Sequence, residues 1–288
     1  MPTIDEKRVY TDNTGTETVY LASGLGVVAV AVSDDLIGEF GIAHRCTARD
    51  VATAGPLIAV ATDEDVLVAD REAVSAAEAD STVGAAAALT FESTGFGPAA
   101  AVGFDDGALV AGDGDGRVAR TEADASISER DRTWTDVGTT GSVRAIDGGL
   151  LAAADGVYRL GPSSLTHAGL DDARDVDSEP LIAAGAGLYK LGNGWMDVLD
   201  GPVDAIDAAG PRAQAVRDGT LWVRGGEGGA ERGWREESLP VDEPVGAVTH
   251  GREASYAVTE DGTFAVRLPD DEWRYRGIGV HDVVAAAV

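Results

Sequence analysis

Lysine is almost missing from this chain. Of 22 basic residues in 288 only Lys7 and Lys190 are lysines, against 50 Asp and Glu, and the formal charge is −28. So acidic a protein lacks the basic face that DNA, RNA or an anionic membrane requires, which excludes them as default partners. The single cysteine, Cys46, has no second thiol for an internal disulfide. No segment approaches the roughly 18 consecutive apolar residues of a membrane helix, because Asp or Gly interrupts each hydrophobic run. The opening residues MPTIDEKRVY carry no apolar stretch of signal-peptide type. A soluble, cytoplasmic protein is expected. His44, His167, His250 and His281 stand at no zinc-binding spacing, and G-x-S-x-G, P-loop and HExxH motifs are all missing, so neither a metal, a cofactor nor a known catalytic motif is expected. Helix-forming composition is confined to residues 71–79.

The abundant residues are Asp, Glu, Ala, Gly and Val. This composition suits a haloarchaeal cytoplasm, where molar salt screens the self-repulsion of a dense carboxylate surface. The charge is therefore assigned to habitat rather than to an acidic binding face.

The chain also repeats itself. GLYKLGNGW (187–195) has counterparts in GVYRLG (156–161), GTLWVRGGEGGAERGW (219–234), GTFAVRLPDDEW (262–273) and, more weakly, a segment over 116–134. Anchored on the aliphatic residue that ends ARDV-like motifs, the repeat gives seven rungs: Val51, Ala86, Ile146, Val176, Ile206, Val248 and Val283. Periods of 30–50 residues mark propellers and solenoids. Each rung is followed by two more apolar runs and often a Trp-led fourth. Asp-Gly pairs at 106–107, 155–156, 218–219 and 261–262, read as turns between second and third runs, indicate antiparallel hairpins. Four short antiparallel strands per repeat predict an all-β, seven-bladed β-propeller occupying 1–288 as one domain. The interval after Ala86 is explained as one blade enlarged by insertions at 91–98 and 121–132. After Val283 the chain supplies one strand but no second. TVYLAS (18–23), GVVAVAV (26–32) and IGEFGIAHRC (37–46) read as second to fourth strands lacking a first, so the C-terminal strand is expected to close the ring. Six blades with a separate N-terminal hairpin is the alternative.

GLYKLGNGWMDVLDG resembles the repeat of Asp-box propellers of the sialidase and photosystem-assembly-factor type, with the turn eroded at Gly192-Asn193-Gly194 and the Thr-Trp ending kept at Thr133-Trp134. With the composition, this is similar to uncharacterised haloarchaeal β-propellers. The resemblance implies the fold and carries over no activity.

Two residues before the rungs lies a column containing Arg49, Arg144, Arg174, Asp204, Gly246 and His281. Pseudo-symmetry gathers such a column at the channel mouth, where Arg49, Arg144, Arg174 and His281 form a candidate anion site. The competing reading pairs these bases with the adjacent Asp50, Asp175 and Asp282 as staples between blades. Asp113 and Asp115, in GDGDG, offer calcium-like oxygens without the remaining ligands, and a hairpin tip is expected. Cys46 beside His44 lacks a nucleophile context. Trp134, Trp195, Trp234 and Trp273 share one blade position and are expected to pack between blades. A sialidase-like chemistry would need a tyrosine with an acidic partner, and no such pair is identifiable in the sequence. The expected function is non-catalytic binding or scaffolding of a protein or small anionic ligand. A hydrolase or lyase in the axial funnel is the alternative, and the oligomeric state is not specified.

Overall fold

The structure, a computed structural model, describes residues 16–72, 89–224, 233–269 and 271–288. Seven four-stranded antiparallel sheets are arrayed as blades, and among the described residues there is no helix. Residues 73–79 of the helix-forming stretch, and Ala86, lie outside the described residues.

The innermost strands, from blade 1 to blade 7, are Val283–Ala287, Ala48–Ala54, Ala101–Asp105, Val143–Asp147, Ala173–Asp177, Ala205–Ala209 and Val245–His250. Blade 1 is completed as the unpaired strand required. Val283–Ala287 lies antiparallel to Thr16–Ser23, with Tyr20 opposite Ala287, Leu21 opposite Ala286 and Ala22 opposite Ala285.

Two rungs are corrected. In blade 1 the register shift that precedes the rungs of blades 2 and 5 falls between Val283 and Ala285, so its rung is Ala286 and not Val283. Blade 3 starts at Ala101–Asp105, so its rung is Val102 and not Ala86, and rung spacings become 51, 44, 30, 30, 42 and 38 residues. The Asp106-Gly107 turn consequently joins first and second strands, whereas Asp155-Gly156, Asp218-Gly219 and Asp261-Gly262 join second and third. At Asp218 and Gly219 φ is 49° and 72°, the paired left-handed conformation that a two-residue hairpin needs and that Asp-Gly tolerates best. The insertion at 121–132 is pinned by Arg132, 8% exposed, which donates to the carbonyls of Glu122 at 2.7 Å, Asp124 and Ile127.

Among the described residues there is no central core. The chain instead buries seven clusters, one in each seam between neighbouring blades, built mainly of Val, Ala, Leu and Ile from the alternating faces of both sheets. Trp134 Nε1 donates to Thr94 O (3.0 Å) and Trp195 Nε1 to Ala168 O (2.8 Å), each reaching back to the preceding blade.

Candidate functional site

An innermost strand has a sheet neighbour on one side only, and its other edge presents backbone N–H groups to the axial bore. Buried donors left unmet are costly. The Asp residues of the repeat meet them. Asp50 Oδ2 accepts from Val102 N of the next blade at 2.9 Å, and Asp175 Oδ2 from Ile206 N at 2.8 Å. The other oxygen of each accepts from its own neighbour, Val51 N or Val176 N, at 2.8 Å. One residue beyond the rung, Asp147 accepts from Ser178 N (2.6 Å) and Asp177 from Ala208 N (2.7 Å). The ARDV and VRAID motifs thus encode carboxylate caps, each directed at the following blade.

These caps make the bore acidic. Burial, and then Asp175 and Asp147, push the Asp50 carboxyl up to about 8 against the lowering effect of its two N–H donors. Burial likewise pushes Asp175 and Asp177 up to about 7, with Asp207 adding repulsion to both. Asp207 is raised well above the carboxylate range by burial and then by Asp147. Its partner His250, 2.5 Å away through Nδ1, is forced down to about 3 by burial and then by Arg212, so the imidazole is neutral.

The basic column occupies the face where the innermost strands begin. Arg144 Nη1 lies 2.6 Å from Asp172, Arg174 Nη2 is 3.3 Å from the same carboxylate, and Arg174 Nη1 is 2.5 Å from Asp204. Blades 4, 5 and 6 are thereby linked in one chain of charge. The staple partners differ from those expected: Asp50 and Asp175 cap backbone edges, exposed Asp282 makes no side-chain pair with the column, and Asp172 and Asp204 take the arginines. Asp172 is held below its ordinary pKa, first by the Arg144 hydrogen bond.

Arg49 and His281, on adjacent blades 2 and 1, are different. Both are exposed, and neither makes a side-chain hydrogen bond or ion pair among the described residues. Blade register explains Arg49, and it puts Val284 rather than His281 at the column position of blade 1. Asp172 and Asp204 stand four and two residues before their rungs, and the corresponding positions on blade 3, beside Arg49, are Pro98 and Ala100. The structure therefore divides the predicted column: Arg144 and Arg174 are brought together on Asp172, while Arg49 and His281 make no pair with it.

Other chemistry resolves into structure. Asp113 Oδ1 accepts from Asp115 N and Arg117 N, both at 2.9 Å, closing a turn, and among the described residues no three His, Cys, Asp or Glu are grouped to hold a metal. Burial and Asp63 raise the Cys46 thiol, which disfavours a thiolate, and His44 packs on Phe91. One pair escaped the sequence: Tyr256 OH donates to Glu17 at 2.9 Å. Glu17 also accepts from Arg252 N at 2.7 Å, on the turn that ends the blade 7 innermost strand and so on the face opposite the arginines. Tyr256 is 1% exposed, and the pair joins blade 7 to blade 1.

A family model described as HVO_0234-like, beta propeller, matches residues 3–288. The chain belongs to that family. The HVO_ tag of this HVO_0234-like propeller family is a haloarchaeal locus tag. No curated protein matches the chain. Among solved structures, the WD40 beta propeller domain of Doa1 is similar with a TM-score of 0.59 at 14% identity, over 94% of this chain and 90% of that one. The computationally designed Ika8 protein gives 0.54 at 16% identity, over 94% and 91%. At such identities these likenesses show the fold alone. No helix among the described residues is long and apolar enough to cross a membrane.

Proposed function

We propose that this HVO_0234-like propeller is a non-catalytic binding or scaffolding protein that receives a carboxylate, free or on a partner protein, at the channel mouth between Arg49 and His281. One observation carries the reading: among the described residues Arg49 is an exposed guanidinium with no partner, and the next blade has Pro98 and Ala100 where the repeat elsewhere supplies acids. A guanidinium matches a carboxylate in bidentate geometry, and charge-assisted bonds of this kind are worth about 1.5–3 kcal/mol. The net charge of −28 repels anions at long range. At molar salt the Debye length is about 3 Å, so only contact groups decide, which fits recognition in a saline cytoplasm. In this reading the Asp-box-like segment at 187–195 is a remnant of sequence with no catalytic duty.

Hydrolase or lyase chemistry in the funnel draws support from carboxyls that keep protons near neutral pH, Asp50 and Asp175 among them. Those same groups are committed to backbone N–H bonds between blades, and we favour binding for that reason.

Titrating citrate into the protein in 2 M chloride, followed by the Arg49 and His281 side-chain NMR signals, tests the proposal. The expected result is a saturable shift of both signals, weakened roughly 10- to 100-fold in Arg49→Ala. Unmoved signals, or equal binding by the variant, would remove this site.

A further inference from the structure

The seam between blades 6 and 7 carries buried polar side chains beside its apolar cluster. Asp207, on the innermost strand of blade 6, pairs with His250 of blade 7, whose side chain is only 2% exposed. Directly opposite Asp207 on the second strand stands Gln214, 1% exposed. Cross-strand partners project from one face of a sheet. Val216 and Val223 on that face pack against Val248 and Ala257 of blade 7, so the Gln214 amide looks into the same seam as Asp207. Its Oε1 and Nε2 are both buried and both without a hydrogen-bond partner. The two preceding blades place leucine there, Leu150 opposite Asp147 and Leu181 opposite Asp177. An amide unmet at both ends is destabilising where leucine would pack, unless something fills its hydrogen bonds.

The surroundings define that guest. Asp177 reaches Ala208 N, the residue after Asp207, and Asp147 adds its field from blade 4. Among the described residues no lysine or arginine pairs with Asp147, Asp177 or Asp207. Arg212, the nearby cation, is committed to the carbonyls of Gly251, Arg252, Glu253 and Ala254. Asp207 keeps 29% of its side chain accessible, which leaves a path from the bore. The donors are hard oxygens, and among the described residues no set of three His, Cys, Asp or Glu encloses a multivalent metal.

We propose that this seam binds one monovalent alkali cation, partly hydrated, between Gln214 Oε1 and the carboxylate of Asp207, with a water of the ion accepting from Gln214 Nε2. The ion takes the place of the proton that burial otherwise keeps on Asp207, and it satisfies an amide that no described residue satisfies.

Thermal melts of the full chain at pH 8 in equal molar NaCl, KCl and choline chloride test it, beside sodium-23 relaxation in the first. Screening is the same in all three salts, so site binding appears as a higher midpoint in an alkali chloride than in choline chloride. Gln214→Leu, which keeps volume and removes the ligand, should abolish that increment and reduce sodium-23 broadening. Equal midpoints for the unaltered protein in the three salts overturn the proposal whether or not the variant folds. An alkali increment that survives in Gln214→Leu overturns it too, since the ion then sits elsewhere. So does a variant more stable in every salt with unchanged sodium relaxation, which would make Gln214 a packing defect.

Discussion

On Arg174 two carboxylates of different blades converge, Asp172 at 3.3 Å and Asp204 at 2.5 Å, while about a third of the side chain stays open to solvent. Exposed pairs are worth about 0–1 kcal/mol each, so Arg174→Ala should lower the melting midpoint by no more than a few degrees and leave citrate binding unchanged. Loss of binding in that variant would return Arg174 to the site. Asp175 is the more consequential residue. It satisfies Val176 N and Ile206 N out of solvent, and stranding a buried donor costs about 1–3 kcal/mol. Asp175→Ala should therefore destabilise the protein more than Arg174→Ala does, a ranking that denaturant titration reads directly. In the sequence both residues stood out by recurrence, yet which acid met which base was hidden. Pairing depends on how far one blade is offset from the next, and the misplaced rung at Ala86 concealed that Arg49 faces Pro98 and Ala100. Gln214 did leave a trace, as the one amide in the otherwise apolar run AQAV.

Among the elements, the innermost strands couple stability to acidity. An acid whose folded pKa is raised keeps its proton through the range in which the unfolded chain has lost it, and the folded state must then pay to ionise. With Asp175 and Asp177 near 7 and Asp50 near 8, the stability these groups influence is greatest near pH 4 and falls as pH rises to about 8, beyond which it is level. Asp172 works oppositely, its contribution being lost as pH falls below the ordinary carboxylate range. At fixed molar salt, melting at pH 5 should exceed melting at pH 8, and the reverse order would show the caps to be fully ionised in the fold. The closing strand was legible from what its neighbours lacked: VHDVVAAAV had no following strand, and residues 16–44 had no leading one. The start of blade 3 was not, because the small residues of PAAAVGF lack the charged-Asp signature of ARDV.

For the whole molecule, closure and charge set the expectations. Removing residues 280–288 takes the innermost strand from blade 1 and bares both Thr16–Ser23 and the seam cluster around Leu21, Ala247 and Val283. A protein so shortened should melt far below the intact one, and equal melting would show that the strand is dispensable. With 50 acidic against 22 basic side chains, the midpoint in 2 M chloride should also exceed that in 0.1 M, because screening shortens the reach of self-repulsion from about 10 Å to a few.

The carboxylate caps have a sense of rotation. Asp50, Asp147, Asp175 and Asp177, on blades 2, 4 and 5, all reach forward to the next blade, and none of these bonds runs back. Damage should then travel one way around the circle. In Asp175→Ala, deuterium should enter first at Ile206 on blade 6 and at Val176 itself, while amides of blade 4 remain as slow as before. An assembly of nearly equivalent parts thus acquires an order in which they loosen, written by the direction of one side chain.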